Sequence, residues 1–173
     1  AGRACEDAPL DSLLVVSWNM HLGDAELVRF VNDLRAGRAL PGVRVRHFVI
    51  LLQEAFRQGD EIPARTAAQG CTSRLGGRGA DVGALADSLG LALFYVPSMR
   101  NGCDDGPRQD RGNAILSTLP LANLKAVELP LVRQRRVAAL ADIRGRSTNG
   151  NEWTLSLASV HLENRGSGTP RNW

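Results

Sequence analysis

Lysine is almost missing from this sequence: Lys125 is the only one among 21 basic residues. Arginine forks suit bidentate phosphate binding. A bias this general also follows from genomic base composition, so it assigns no ligand by itself. Net charge is low, at +3, which neither argues for nucleic acid nor repels an anionic substrate. Aromatic residues make up 5% and Tyr95 is the single tyrosine. A stacking platform for single-stranded nucleic acid is therefore not indicated. No run has the length and apolarity of a membrane-crossing helix, and no basic amphipathic helix suits a membrane surface. The three cysteines, Cys5, Cys71 and Cys103, form no Cys-x-x-Cys pair, which argues against a zinc site. Cys71 and Cys103 flank one helix–strand unit. A disulfide between them and two unrelated thiols are both open, and the disulfide would mean an oxidising compartment. A secreted or periplasmic location is accordingly favoured over a cytoplasmic one. Initiator Met and apolar signal core are both absent at the start, so the chain is expected to begin after processing or as a cut fragment.

What remains is an ordinary globular composition in 173 residues, with 43% hydrophobic and 23% charged residues. That is enough chain for one domain with a packed core. Residues 1–12 read as a flexible lead-in. Leu13 to Trp18 is a short apolar run of strand formers. Asp24 is placed to cap a helix whose face is Leu27, Phe30, Val31 and Leu34, ended by Gly37 and Pro41-Gly42. Phe48 to Leu52 is a second continuous apolar run. Strand, helix and buried strand in this order predict a parallel pair. A polar, Gly-rich loop is expected over 57–79. A helix follows on Val82, Leu85, Ala86 and Leu89, stopped by Gly90, then a strand at 91–96 and a polar loop at 97–111. Short apolar stretches at 114–116, 124–129, 137–143 and 153–160, separated by turn residues, read as antiparallel hairpins. The fold class is α/β: a layered sandwich with a mixed, largely antiparallel sheet.

Polar residues stand where apolar strands stop. Asn19 follows the first strand, Glu54 the second and His161 the last. Ligands gather at the carboxyl ends of strands in open α/β sheets. A carboxylate at a buried strand end needs a partner, and a divalent cation is a natural one.

These residues occur inside longer motifs. Ser-Trp-Asn-Met-His-Leu-Gly at 17–23, Leu-Gln-Glu at 52–54, Gly-Asn-Ala-Ile-Leu-Ser at 112–117 with Pro120-Leu121, and Ser-Val-His-Leu at 159–162 occur in this order. Together they resemble the first half of the endonuclease/exonuclease/phosphatase superfamily, from about Leu13 to Asn164. The resemblance implies a phosphate-ester hydrolase dependent on Mg²⁺, Mn²⁺ or Ca²⁺, acting on nucleic acid, phospholipid or a small phosphodiester. It makes Glu54 the metal ligand. Asn19 would hold a phosphate oxygen or the attacking water, and His161 would meet the scissile phosphate and move a proton. By similarity to the deoxyribonuclease-like members, Asp110 would orient His161, and Arg100 and Asn101 would face the phosphate. His21 stands where some relatives carry an assisting Asp and is a poor Mg²⁺ partner. Asn113 is expected to satisfy backbone groups, and Tyr95 to pack at a strand end.

The superfamily's second half carries a Gly-Asp-x-Asn and a Ser-Asp-His motif. Asp-x-Asn does not occur after His161, and none of His21, His47 and His161 follows Ser-Asp. The resemblance thus implies a C-terminally incomplete domain, inactive alone, with one face of its first sheet uncovered. The alternative is a non-catalytic binding or scaffold module of the same fold. No stable protein partner is indicated.

Overall fold

A computed structural model describes residues 10–21, 23, 25–63, 79–101, 108–131 and 134–162. The lead-in up to residue 9, Asp24 and all three cysteines lie outside them, as does most of the 57–79 loop. Among the described residues nine elements follow one another: β1 (Leu14–Asn19), α1 (Leu27–Arg35), β2 (Phe48–Gln58), α2 (Val82–Leu89), β3 (Ala92–Asn101), β4 (Gln109–Ser117), β5 (Ala122–Glu128), β6 (Val137–Arg146) and β7 (Glu152–Val160). The strands form two sheets, ordered β1-β2-β4-β3 and β5-β6-β7. β1 runs parallel to β2, as the strand–helix–strand order requires, and every other pairing is antiparallel. The chain is a mixed α/β sandwich. Among the described residues no helix is long and apolar enough to cross a membrane.

The apolar runs are continuous because the first sheet is buried on both faces. Phe48, Ile50 and Leu52 of β2 pack with Leu27, Val31 and Leu34 of α1 and with Val82, Ala86 and Leu89 of α2. Val49, between them, turns the other way and packs with Val137, Ala139, Ala141 and Ile143 of the second sheet. The helices end and begin for local reasons. Asp81 caps α2 by accepting from the Ala84 amide at 3.0 Å, and Gly90 closes it in the left-handed region at φ +62°. The residue at the N-cap of α1 is Glu26, whose side chain makes no capping bond.

Two expectations need correction. The first sheet does not present a bare face, because β5-β6-β7 packs over it. Only the β1 column escapes: Val15 is 43% exposed and Ser17 and Asn19 are exposed with it. The polar segments at 57–58, 97–101 and 109–111 are not loop but strand. Cross-strand pairs such as Arg100–Asp110, 3.0 Å apart, stabilise strand structure there without an apolar pattern.

Candidate active site

β2 does not end at Glu54. It continues to Gln58, and Glu54 lies inside it at a β-bulge. Leu52 pairs with Ala114 and Ala55 with Gly112, so Gln53 and Glu54 together oppose Asn113. Glu54 takes the left-handed conformation, φ +54°. For a residue with a Cβ that costs about 1–2 kcal/mol. Bulges of this kind re-aim a side chain, and here the carboxylate turns toward the ends of two other strands. Asn19, the last residue of β1, donates from Nδ2 to Glu54 Oε1 at 3.4 Å. Its own Oδ1 accepts from the His21 amide at 2.9 Å, which fixes the amide with its N–H₂ outward. His161, the residue after β7, brings Nδ1 to 3.9 Å from the same oxygen. The three residues singled out at strand ends therefore converge, although one of them is not at an end.

A polar seam beneath them holds the two sheets in register. Gln53 Nε2 reaches Ser17 Oγ at 3.3 Å, the Leu51 carbonyl at 3.1 Å and Ser159 Oγ at 3.3 Å. Ser159 Oγ donates to the Leu52 carbonyl at 2.7 Å. Asn113, 2% exposed, donates from Nδ2 to the carbonyls of Val137 at 2.7 Å and Ser159 at 3.3 Å. Asn113 thus satisfies backbone groups, as expected of it. Ser17, Gln53 and Ser159 belong to the quoted motifs, but the sequence assigns them no role of their own. Each stands one or two residues before a singled-out residue, and that adjacency was the available signal.

Asp110 is placed elsewhere. β4 carries no extra residue of its own through its pairings, so side chains alternate. Asn113 and Arg111 take the face toward the second sheet, and Asp110 takes the face toward the helices. Its carboxylate, 3% exposed, is held by Arg100 Nε at 3.0 Å. The carboxylate beside His161 is Glu54, not Asp110. Arg100 is engaged with that carboxylate rather than presented at the Glu54 site. Asn101 pairs with Gln109 at the end of β3, and its side chain lies outside the described residues.

The helix-facing side of this sheet end forms a separate polar layer. Arg57 bridges Glu61 at 2.7 Å and Asp81 at 3.3 Å and lies 5.9 Å from the Tyr95 ring centre. Burial opposes ionisation of Asp81, but the Gln58 and Ala84 amides and Arg57 outweigh it and hold the carboxyl below the usual range. Tyr95 is in mid-strand rather than at a strand end. Among the described residues its buried hydroxyl has no hydrogen-bond partner, and burial, with Asp110 nearby, pushes its pKa far up.

Among the described residues no group of three His, Cys, Asp or Glu side chains converges. Glu54 is the carboxylate at the meeting of Asn19 and His161, and a carboxylate oxygen is the kind of donor a hard divalent cation takes. A groove of about 600 Å³ beside α1, lined by Glu26, Arg29, Asn32, Asp33 and Arg38 among others, contains none of these residues. No family model, no curated protein and no solved structure matches this chain.

Proposed function

We propose that this chain carries the first half of a divalent-cation-dependent phosphate-ester hydrolase site of the endonuclease/exonuclease/phosphatase kind. The observation that carries the reading is Glu54, held in a strained left-handed bulge and meeting Asn19 and His161 from two further strands. Strain of this sort persists where the surrounding structure over-determines it, and it concentrates at functional sites.

Glu54 Oε1 is shared by Asn19 and His161. Oε2 has no described donor and is the oxygen offered to a cation. A bound Mg²⁺ or Mn²⁺ would polarise a phosphoryl oxygen and lower the pKa of water. The Asn19 amide, oriented by the His21 amide, gives one N–H to Glu54 and would have its second N–H to offer a phosphate oxygen. His161 is the group able to hold or move a proton there. The substrate class is a phosphate ester: nucleic acid, phospholipid or a small phosphodiester.

A second reading is that the 173 residues bind without turning over. The 173 residues carry neither Asp-x-Asn nor Ser-Asp-His after His161. Calorimetric titration with Mn²⁺ of wild type and Glu54→Gln tests the cation site, and a phosphodiester hydrolysis assay on the same samples separates the readings. Binding that weakens at least tenfold in Glu54→Gln supports the site. Equal binding by both proteins would refute it. Binding without turnover assigns the chain the half-site role.

A further inference from the structure

Asn19 and His161 reach Glu54 from different sheets. Asn19 ends β1, in the first sheet, and His161 follows β7, in the second. Among the described residues no backbone ladder joins β1 to β7. The sheets meet through apolar packing, which is non-directional and does not fix how one slides on the other. The spacing of Asn19 and His161 about Glu54 therefore depends on directional bonds between the sheets.

One side chain spans the gap. Gln53 Nε2 donates to Ser17 Oγ, two residues before Asn19, and to Ser159 Oγ, two residues before His161, each at 3.3 Å. It also donates to the Leu51 carbonyl at 3.1 Å. Residues i and i+2 of a strand share a face, so the two serines lie one step beneath the residues of the site. Gln53 is itself held, because its carbonyl accepts from the Met20 amide at 2.8 Å. Ser159 is fully buried and gives its hydroxyl to the Leu52 carbonyl at 2.7 Å. Asn113 also ties β7 to the first sheet, but among the described residues its amide bonds nothing on β1. An amide nitrogen carries two hydrogens. Three acceptors share them here, which leaves none for a ligand.

Resting on the proposed phosphate-ester reading, we infer that Gln53 is a positioning residue of the Glu54 site: its amide sets the spacing at which Asn19 and His161 face a phosphate. Gln53 touches neither cation nor phosphate. The conformation of Glu54 is fixed by the backbone bulge. Loss of the Gln53 amide should accordingly spare the cation side of the site and disturb its phosphate side.

The test uses calorimetric titration, well below the melting temperature, with two probes: Mn²⁺ alone, and inorganic phosphate added to Mg²⁺-saturated protein. Gln53→Met keeps the length of the side chain and removes the amide. It should bind Mn²⁺ within about threefold of wild type, and phosphate about tenfold more weakly. A double-mutant cycle separates positioning from general loosening. In an Asn19→Ala/His161→Ala background, Gln53→Met should change phosphate binding by less than about twofold, because nothing is left to position. Ser17→Ala alters an exposed residue and cuts only the β1 arm. It should weaken phosphate binding about threefold, an effect that vanishes in Asn19→Ala and persists in His161→Ala. Unchanged phosphate binding in Gln53→Met would overturn the inference. So would an equal loss with and without Asn19 and His161, which would make Gln53 merely structural. If Gln53→Met does not fold, Ser17→Ala decides by the same criteria. A wild type that takes no phosphate overturns the inference as well. The comparison of wild type with Glu54→Gln in Mn²⁺ then tells whether the cation site has failed too, so the two readings fail separately.

Discussion

Removing the Asn113 amide should unfasten the sandwich and disturb His161 together. Asn113 lies on the first sheet and donates to two carbonyls of the second, Val137 at 2.7 Å and Ser159 at 3.3 Å. Ser159 is two residues before His161. Asn113→Ala deletes two hydrogen bonds of about 1 kcal/mol each and leaves buried acceptors without that donor, a further cost of about 1–3 kcal/mol. The expected loss is roughly 3–5 kcal/mol. In a domain of this size about 1 kcal/mol moves the melting temperature by about 2–4 °C, so the midpoint should fall by roughly 6–20 °C. Asn113→Asp sharpens the result, because it keeps the volume but sets a carboxylate against two carbonyl oxygens. The folded-state pKa of the introduced carboxyl must rise above the unfolded value of about 3.9. The protonated acid can still donate once, so this variant should be tolerated below about pH 4 and lose stability as pH climbs above it. Thermal melts of wild type, Asn113→Ala and Asn113→Asp between pH 3.5 and about pH 8 supply the comparison. An Asn113→Ala midpoint within 1 °C or so of wild type would show that the seam does not hold the sheets together. An Asn113→Asp variant that gains stability as pH rises would contradict the assigned geometry.

Other consequences are open to the same instruments. Tyr95→Phe removes a buried hydroxyl without a partner and should leave stability unchanged or raise it by about 1 kcal/mol, read as a melting shift. Gly112→Ala should be severely destabilising, because a Cβ there would land on the Val96 carbonyl across the β3–β4 pair; soluble yield and circular dichroism report it. Asp81→Ala removes the α2 cap and should cost about 1–2 kcal/mol at neutral pH. Because the folded-state pKa of Asp81 is depressed, its ionised form stabilises the fold above the unfolded pKa of about 3.9, and that contribution is lost as pH falls through the folded value. Wild type and Asp81→Ala should therefore converge in denaturant midpoint on acidification.

Local pattern determined a great deal by itself. A run such as Phe48 to Leu52 is apolar at every position only if both faces are covered, and the helices and the second sheet cover them. The stripes on α1 and α2 and the cap at Gly90 were equally legible, because helical periodicity and left-handed glycine act over a few residues. The order of Asn19, Glu54 and His161 was enough to bring those residues to attention.

Tertiary structure alone decided how they are used. Nothing in Leu-Gln-Glu-Ala-Phe says that the strand runs on past Glu54. Its continuation depends on pairing with the polar start of β4, which the sequence shows as loop. Nor does spacing tell on which face Asp110 falls. The strand's alternation settles that once Gln109 to Ser117 is paired on both sides, giving Asp110 to Arg100 and turning Arg111 to the opposite face. A bulge is a mismatch of register between two strands, and the face of a residue is a property of the whole sheet. Both depend on residues that lie about sixty positions apart along the chain, as Glu54 and Asn113 do, where periods of two or of 3.6 residues carry no information.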